Sequence, residues 1–204
     1  MTGRNTPNKK QRPMNINKYC LINKINAINL HLGCGGVRIE GWVNIDNYDY
    51  EEHDTSRDGA EYDIKMDIRN LDVLDDTVDR ILLVHTVEHF VRWEMVDMLT
   101  HYYEKLKTGG ELIVEMPDLD KCIEWYLMGK KAKHMETPLG MLNMGFTQFY
   151  GNQWSKLDYE THRYVWTKGE FKAVLEEIGF SVEVITNDIS SHETGRDMHV
   201  VAKK

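Results

Sequence analysis

The stretch INLHLGCGG, residues 28–36, decides the fold that we predict for this chain of 204 residues. Its first five residues form a short apolar run, which stops abruptly at GCGG. A run that ends in glycines is typical of a strand entering a tight turn. Because glycine lets the backbone turn tightly and approach a ligand closely, this turn is the first candidate for a binding site.

More strands and a helix follow this turn along the chain. Short strands are predicted at WVNID (42–46) and YDIKMDI (62–68), and DRILLVH (79–85) is a continuous apolar run, as in a buried parallel strand. From Val87 apolar residues recur every three to four positions, which predicts an amphipathic helix. Glycines 109 and 110 are expected to end that helix.

The second half of the chain continues the alternation. ELIVEMP (111–117) predicts a strand, residues 118–129 predict a helix, and TKGE (167–170) has the form of a capping box that opens another helix. Two final strands are predicted at 180–185 and 198–203. Strands separated by loops or helices imply a mostly parallel sheet with crossovers, and the two late strands suggest an antiparallel pair at one edge.

The net charge of −8 is unevenly distributed. Residues 1–24 contain six Lys or Arg residues and no acid, so we predict a basic, flexible arm there and one domain over residues 25–204. A basic arm can contact phosphate, but the acidic remainder argues against a long nucleic-acid footprint.

Composition also predicts where the protein acts. No apolar run approaches the ~20 residues that cross a bilayer, and the N-terminus lacks the apolar core of a secretory signal. The three cysteines are odd in number and widely spaced, which fits the reducing cytoplasm.

Residues 85–89, HTVEH, match the H-x-x-E-H pattern of an inverted zinc-peptidase site. That site needs both histidines on one helical face. Here His85 ends a strand and the helical period begins at Val87, so the imidazoles of His85 and His89 are not expected to converge, and we predict no metal site. His85 instead lies at the carboxyl end of a central strand, where open α/β sheets bind ligands.

Other strand ends also carry recognition chemistry. The second strand ends at Asp46, 13 residues after Gly33, and an acid there can accept hydrogen bonds from a ribose diol. The third ends in Asp67 and Ile68, suited to an adenine amino group and ring. This order predicts a nucleotide cofactor, but NAD is less favoured because Arg38 occupies the third glycine position of the dinucleotide fingerprint.

With these motifs the chain resembles class I S-adenosylmethionine-dependent methyltransferases, in particular a bacterial and phage group often found beside sugar and cell-surface genes. The matching stretches are HLGCGG (31–36), GWVNID (41–46), DI (67–68), VHTVEHF (84–90), LKTGGELIVEMPDLD (106–120) and HRYVWTKGEFKAVLEEIGF (162–180). The resemblance implies an α/β, Rossmann-like, doubly wound sheet of seven mostly parallel strands with an antiparallel last strand. An insertion at about 118–166 would cover the acceptor pocket.

The resemblance also implies S-adenosylmethionine as the cofactor. The glycine turn would lie along its methionine part, Asp46 would hold the ribose hydroxyls, Asp67 and Ile68 would bracket the adenine, and His85 would lie beside the sulfonium. The implied cofactor-binding residues are Leu32, Gly33, Cys34, Gly35, Gly36, Asp46, Asp67, Ile68 and His85. Many relatives carry an acid before the glycine turn, where this chain has His31 or Leu32, and its first two crossover helices are expected to be loops.

The expected reaction is methyl transfer to an oxygen, or a nitrogen, of a small molecule or sugar. Such an acceptor must lose a proton, and His89 and His162 are candidate general bases, although proximity alone can also suffice. The Asn/Asp-Pro-Pro-aromatic turn of nucleobase amino-methyltransferases is absent after the fourth strand, so nucleic acid is not the expected acceptor. Two alternatives stay open: a nicotinamide-dependent oxidoreductase and a non-catalytic nucleotide-binding regulatory protein.

Overall fold

The computed structural model describes residues 15–47, 62–130, 135–137, 140–142 and 144–204, and its centre is one mixed sheet. The strands are β1 Asn29–Leu32, β2 Val43–Asp46, β3 Ile64–Lys65, β4 Val78–Val84, β5 Leu106–Pro117, β6 Met135–Thr137, β7 Gly140–Leu142, β8 Ser181–Thr186 and β9 Asp197–Lys203. The sheet has the order β3-β2-β1-β4-β5-β9-β8, while β6 and β7 form a separate antiparallel pair. Strands β1 to β5 are parallel and β9 is antiparallel to both neighbours, which confirms the predicted fold class.

Five helices surround or follow the strands in the described part of the chain. They are α1 Ile16–Ile22, α2 Arg92–Lys105, α3 Leu119–Leu127, α4 Thr147–Tyr150 and α5 Lys168–Ile178. The predicted capping box is half formed, since the Thr167 side chain accepts from Glu170 N at 3.1 Å. The Glu170 carboxylate instead binds Arg92 Nε at 2.7 Å and the Tyr164 hydroxyl at 2.8 Å, so it ties α5 to α2. None of the described helices is long and apolar enough to cross a bilayer.

The core lies on both faces of the central strands. All four residues of β1 are buried, and β4 and β5 supply further apolar side chains, as a parallel sheet covered on both faces requires. The fully buried members include Leu30, Leu32, Ile81, Leu83, Leu112 and Val114. Burying each such side chain contributes about 1.5–3 kcal/mol, so these strands are a rigid base for the residues at their carboxyl ends.

The N-terminal boundary differs from the predicted one. Residues 16–22, assigned from sequence to a flexible arm, form α1, and its Ile16 and Cys20 are buried in the core. Ordered structure therefore begins by residue 15 rather than near Ile25, because two apolar side chains one helical turn apart can pack against the sheet. Residues 1–14, the rest of the predicted arm, lie outside the described residues.

Three other boundaries also differ. The helix predicted from Val87 begins at Arg92, after a short 3₁₀ turn over Val87–His89. It ends at Lys105 because Leu106 is already extended, so Gly109 and Gly110 lie within β5 and do not stop the helix. The third strand contains only residues 64–65. Residues 33–42 between β1 and β2 contain no helix, as expected, whereas the predicted second loop falls largely on residues 48–61, outside the described part.

Candidate active site

The glycine turn after β1 is held against the end of β4. Gly33 has φ +65° and Gly35 has φ +56°, both in the left-handed region. A Cβ on Gly33 would lie 2.5 Å from Thr86 Cγ2, closer than atoms can approach. The Thr86 hydroxyl in turn donates to the carbonyls of Leu32 and Val84 at 3.3 and 3.1 Å. Thr86 thus fastens the turn to the neighbouring strand end, and only glycine fits at position 33.

A Gly33→Ala variant is expected to unfold about 2 kcal/mol more easily, because a non-glycine residue at positive φ costs 1–3 kcal/mol and the new methyl group meets Thr86. Urea denaturation measures this loss. Gly169→Ala is the control, since a Cβ there meets nothing within 4 Å. Gly33→Ala is also measured in a protein that already carries Thr86→Ala. If the new methyl group meets the Thr86 side chain, the loss of unfolding free energy is smaller there than in the wild type; an equal loss in both proteins would contradict the contact.

The turn and Asp46 form one unit. Gly33 N and Cys34 N donate to Ile45 O at 2.9 and 3.2 Å, and Gly35 N donates to the Asp46 carboxylate at 2.8 Å. The carboxylate at the end of β2 therefore lies directly beside the left-handed turn at the end of β1. The structure brings together the two residue types that the sequence assigned to the methionine and ribose parts of the cofactor.

The remaining residues assigned to the cofactor lie in different surroundings. Asp67 is half-exposed and pairs with Arg69, whose Nη1 lies 3.0 Å from Asp67 Oδ2. Ile68 is buried in the core, and its carbonyl accepts from Tyr102 Oη at 2.9 Å. Leu32 is fully buried, so only its backbone is available to a ligand. The assignment of these residues to the adenine and methionine parts stays a prediction.

Cys34 lies in the turn but does not supply a reactive thiolate. Its side chain is buried, and burial raises the pKa of the thiol to about 12. The thiol is therefore protonated at neutral pH and serves as a small packing group. Gly36, the last residue of GCGG, lies exposed in the turn.

A buried polar network lies behind the turn. His31 Nδ1 and Asn44 Oδ1 are 3.0 Å apart, and Asn44 Nδ2 donates to Asp63 Oδ2 at 3.0 Å. Asp63 also accepts from Tyr19 Oη at 2.9 Å and pairs with Arg38 at 2.8 Å. Arg38, which occupies the third glycine position of the dinucleotide fingerprint, therefore anchors the residues that follow the turn. His31, one of the two residues at the place where many relatives carry an acid, is buried and hydrogen-bonded to Asn44.

His85 follows β4 and is clamped between two carboxylates. Its Nδ1 lies 3.0 Å from Glu88 Oε1 and its Nε2 lies 3.0 Å from Asp197 Oδ2. Burial alone would lower the pKa of His85, but its hydrogen bonds to Asp197 and Glu88 raise the pKa to about 10. The ring is therefore an imidazolium at neutral pH, with both N–H groups donated. It has no lone pair for a base or a metal, and contact with a bound sulfonium stays a prediction.

The clamp holds an unusual backbone. His85 has φ +47°, a conformation that costs a residue with a Cβ roughly 1 kcal/mol or more. Burial opposes ionisation of Asp197, yet His85 and Arg196 hold its pKa down at about 2. Asp197 is fully buried at the start of β9. The hydrogen bonds from the His85 ring to Asp197 and to Glu88 are charge-assisted, and they offset the strain of the His85 backbone.

The loop between β8 and β9 is hydrogen-bonded to the carboxyl end of β5. Glu115 of β5 accepts from Ser191 N at 2.8 Å, from Ser191 Oγ at 2.7 Å and from Ser190 Oγ at 3.0 Å. The ring of His192, in the same loop, lies 4.2 Å from the ring of His85. The segment between β8 and β9 therefore covers the carboxyl end of the central strands.

The two candidate bases meet on the other side of Glu88. The rings of His89 and His162 lie edge to face with centroids 5.2 Å apart. Glu88, His89 and His162 each offer a ligand atom within 4.8 Å of the others, whereas His85 groups with Glu115 and Asp197. The two histidines of HTVEH thus belong to separate clusters, and His85 and His89 do not form the paired ligands of a zinc peptidase.

An open cleft of about 440 Å³ lies beside His162. Its walls come mainly from the predicted insertion, and its lining residues are Leu119, Phe146, Phe149, Tyr150, His162, Arg163, Tyr164 and Val165. Arg163 N donates to the Glu88 carbonyl at 2.7 Å, which joins this wall to the turn after β4. Burial lowers the pKa of His162 to about 4, so a neutral imidazole borders the cleft.

Sequence reasoning missed several buried polar residues. Glu115, Asp197, Asn44 and Asp63 each hold a histidine, a loop or the glycine turn in place through the contacts above. The signal was present for two of them, since Glu115 interrupts the apolar run 111–117 and Asn44 interrupts WVNID. A polar residue within a fully buried strand needs a partner, and that partner identifies the network.

Comparisons with known proteins agree with this geometry. A family model described as "Methyltransferase domain" matches residues 25–184. No curated protein sequence matches the chain significantly.

Solved structures share the fold at low sequence identity. A methyltransferase from Mesorhizobium loti, described as S-adenosylmethionine-dependent, is 14% identical with a TM-score of 0.53, over 87% of this chain and 90% of that one. One from Archaeoglobus fulgidus is also 14% identical with a TM-score of 0.53, over 91% and 92%. The 1,6-didemethyltoxoflavin N1-methyltransferase of Burkholderia thailandensis, bound to 1,6-didemethyltoxoflavin and S-adenosylhomocysteine, is 12% identical with a TM-score of 0.55, over 91% and 74%. The chain therefore belongs to the methyltransferase-domain family, and it is a class I methyltransferase that uses S-adenosylmethionine.

Proposed function

We propose that this protein methylates an oxygen or nitrogen atom of a small molecule or sugar bound in the cleft. The observation that carries the proposal is the position of residues 85–89. Thr86 packs on Gly33 of the glycine turn. Two residues later, the carbonyl of Glu88 accepts a hydrogen bond from Arg163 N in the cleft wall. One short segment therefore joins the predicted cofactor turn to the predicted acceptor cleft.

The residues around the turn fit the cofactor. At Gly33 any side chain would clash with Thr86, so the turn keeps a bare backbone, and Asp46 places a carboxylate next to Gly35 N. We assign Asp46 to the ribose hydroxyls and the turn to the methionine part. When bound, S-adenosylmethionine supplies an electrophilic methyl group on a sulfonium. Around His85, three carboxylates (Glu88, Glu115 and Asp197) outnumber the two cations His85 and Arg196, and this excess of negative charge suits a cationic ligand.

The cleft suits a planar or ring-shaped acceptor. Phe146, Phe149, Tyr150 and Tyr164 present aromatic surface, which stacks well on heterocycles and on the apolar faces of sugars. The Burkholderia thailandensis neighbour is bound to 1,6-didemethyltoxoflavin, a small molecule, which supports the same class of acceptor here. We place nucleic acid outside the acceptor class.

His162 is the group we assign to proton removal. Its Nδ1 lies 3.3 Å from Gln148 O, and a proton donated there leaves a lone pair on Nε2. Nε2 accepts the proton that a hydroxyl or amine acceptor loses, while the aromatic walls orient the acceptor. His89, edge-on against the His162 ring, holds that ring in place.

We also propose a cytoplasmic location, since all three cysteines are free and buried.

The test is acceptor-dependent formation of S-adenosylhomocysteine, detected by mass spectrometry over a panel of small phenols, heterocyclic amines and nucleotide sugars. Phe149→Ala should raise the KM of an acceptor roughly tenfold by removing stacking worth about 0.5–1.5 kcal/mol together with buried area. Trp93→Ala is the control, because Trp93 is 68% exposed on α2. Cofactor binding without turnover on any compound of the panel would contradict the proposed class of acceptor.

A further inference from the structure

We propose that Glu88, His89 and His162 bind a divalent transition-metal ion, with Zn²⁺ as the test ion, at the wall of the cleft. Sequence reasoning considered only the pair His85 and His89 and predicted no metal. In the folded protein His162, rather than His85, lies beside Glu88 and His89. It is held there because Arg163 N and Tyr164 N both donate to the carbonyl of Glu88.

The three side chains converge on one point. Each offers one ligand atom, and these atoms all lie within 4.8 Å of one another. Ligand atoms around a Zn²⁺ at about 2.1 Å are roughly 3.4 Å apart in a tetrahedral site, so the separations within the cluster need to shorten by at most about 1.4 Å when the ion binds. The ligands come from the 3₁₀ turn after β4 and from the end of the predicted insertion, so binding also joins these two segments.

Each imidazole has one ring nitrogen beside a backbone carbonyl. His89 Nδ1 lies 3.2 Å from Thr161 O, and His162 Nδ1 lies 3.3 Å from Gln148 O. Because a carbonyl oxygen only accepts hydrogen bonds, each contact favours the tautomer with the proton on Nδ1 and leaves Nε2 unprotonated. Metal-binding histidines in proteins usually have this outer hydrogen bond.

Glu88 supplies an independent reason to expect a cation. Only 1% of its surface is exposed, and Oε1 is bound to His85 Nδ1. The second oxygen, Oε2, is buried without a hydrogen-bond partner. A buried carboxylate oxygen without a partner destabilises the folded protein, and a bound metal ion would remove this cost.

The neighbouring cluster of His85, Glu115 and Asp197 lacks these properties. Both nitrogens of His85 face carboxylate oxygens at 3.0 Å, so that ring has no lone pair to give. Metal is therefore expected at only one of the two clusters, the one that borders the cleft.

Two imidazoles and one carboxylate suit Zn²⁺ or Fe²⁺ and leave at least one coordination position open. Since His162 lines the cleft, an oxygen or nitrogen of the acceptor can fill that position. This role rests on the proposed function, whereas the metal site does not. In the metal-loaded protein the ion, rather than the lone pair of His162, would favour the deprotonated acceptor.

The experiment is calorimetric titration of chelator-treated full-length protein with Zn²⁺, with Co²⁺ absorption in the visible range as a second readout. We expect one tight site in the wild type and at least hundredfold weaker binding in His162→Gln, His89→Gln and Glu88→Gln. His101→Gln is the control, since His101 lies on α2 outside both clusters. Each variant is also titrated with S-adenosylhomocysteine, and wild-type affinity there shows that the variant is folded.

Equal Zn²⁺ binding in the wild type and the three cluster variants, or no binding in the wild type, would overturn the metal site. The cofactor titration is read separately. Cofactor binding without metal binding removes only this inference, and metal binding without cofactor binding removes the proposed function while the metal site stands.

Discussion

Replacing Asp46 with alanine is expected to weaken S-adenosylhomocysteine binding about a hundredfold, or about 2.7 kcal/mol. Two losses contribute. The ribose hydroxyls lose a charged acceptor, and Gly35 N loses the carboxylate that it now binds at 2.8 Å, so the turn is less well ordered before the ligand arrives. Isothermal titration calorimetry of the wild type and the variant measures the difference.

Asp46→Asn separates these two contributions. Asparagine keeps an oxygen for Gly35 N and removes the charge, so its affinity should fall between the wild type and Asp46→Ala. Glu177→Ala removes one exposed acid from α5 and controls for net charge. Wild-type affinity in Asp46→Ala would show that Asp46 does not hold the cofactor.

The largest effect on stability is expected at Asp197. Its carboxylate is fully buried and accepts from His85 Nε2 and from Arg196 Nε, so Asp197→Ala leaves two cations without their principal partner. Breaking a buried ion pair in this way costs about 3–5 kcal/mol. The melting temperature should fall by roughly 10 °C, since each kcal/mol shifts a domain of this size by about 2–4 °C.

Differential scanning calorimetry checks this value. Asp188→Ala is the matched control, because Asp188 is an exposed acid in the loop that leads to Asp197 and a surface change of this kind stays within about 0.5 kcal/mol. A melting temperature for Asp197→Ala within 2 °C of the control would contradict a structural role for the clamp.

The strand ends could be predicted from sequence because local patterns determine them. INLHL, WVNID and DRILLVH are buried runs with a clear end, and β1, β2 and β4 lie within one residue of their predicted carboxyl ends. These ends carry Gly33, Asp46 and His85. That is why the positions of these strand ends could be predicted before the structure.

The contacts between distant segments could not be predicted in the same way. His85 meets Asp197 across 112 positions, and Glu88 meets Arg163 through a backbone hydrogen bond that any residue type could make. The place of α1 in the core was also missed, since seven residues are too short for a strong helical period. Such features depend on which surfaces meet after folding, and a linear pattern does not encode them.

The clamp on His85 also has a consequence for the order of events during synthesis. The glycine turn, β2 and β4 emerge from the ribosome early, but Asp197 follows His85 by 112 residues and Ser190 and Ser191 arrive only shortly before it. Until β9 inserts between β5 and β8, the ring of His85 has Glu88 as a hydrogen-bond partner but lacks Asp197. A growing chain therefore carries every residue of the glycine turn long before β9 completes the sheet beside it. We expect the protein to become able to bind the cofactor only when β9 inserts.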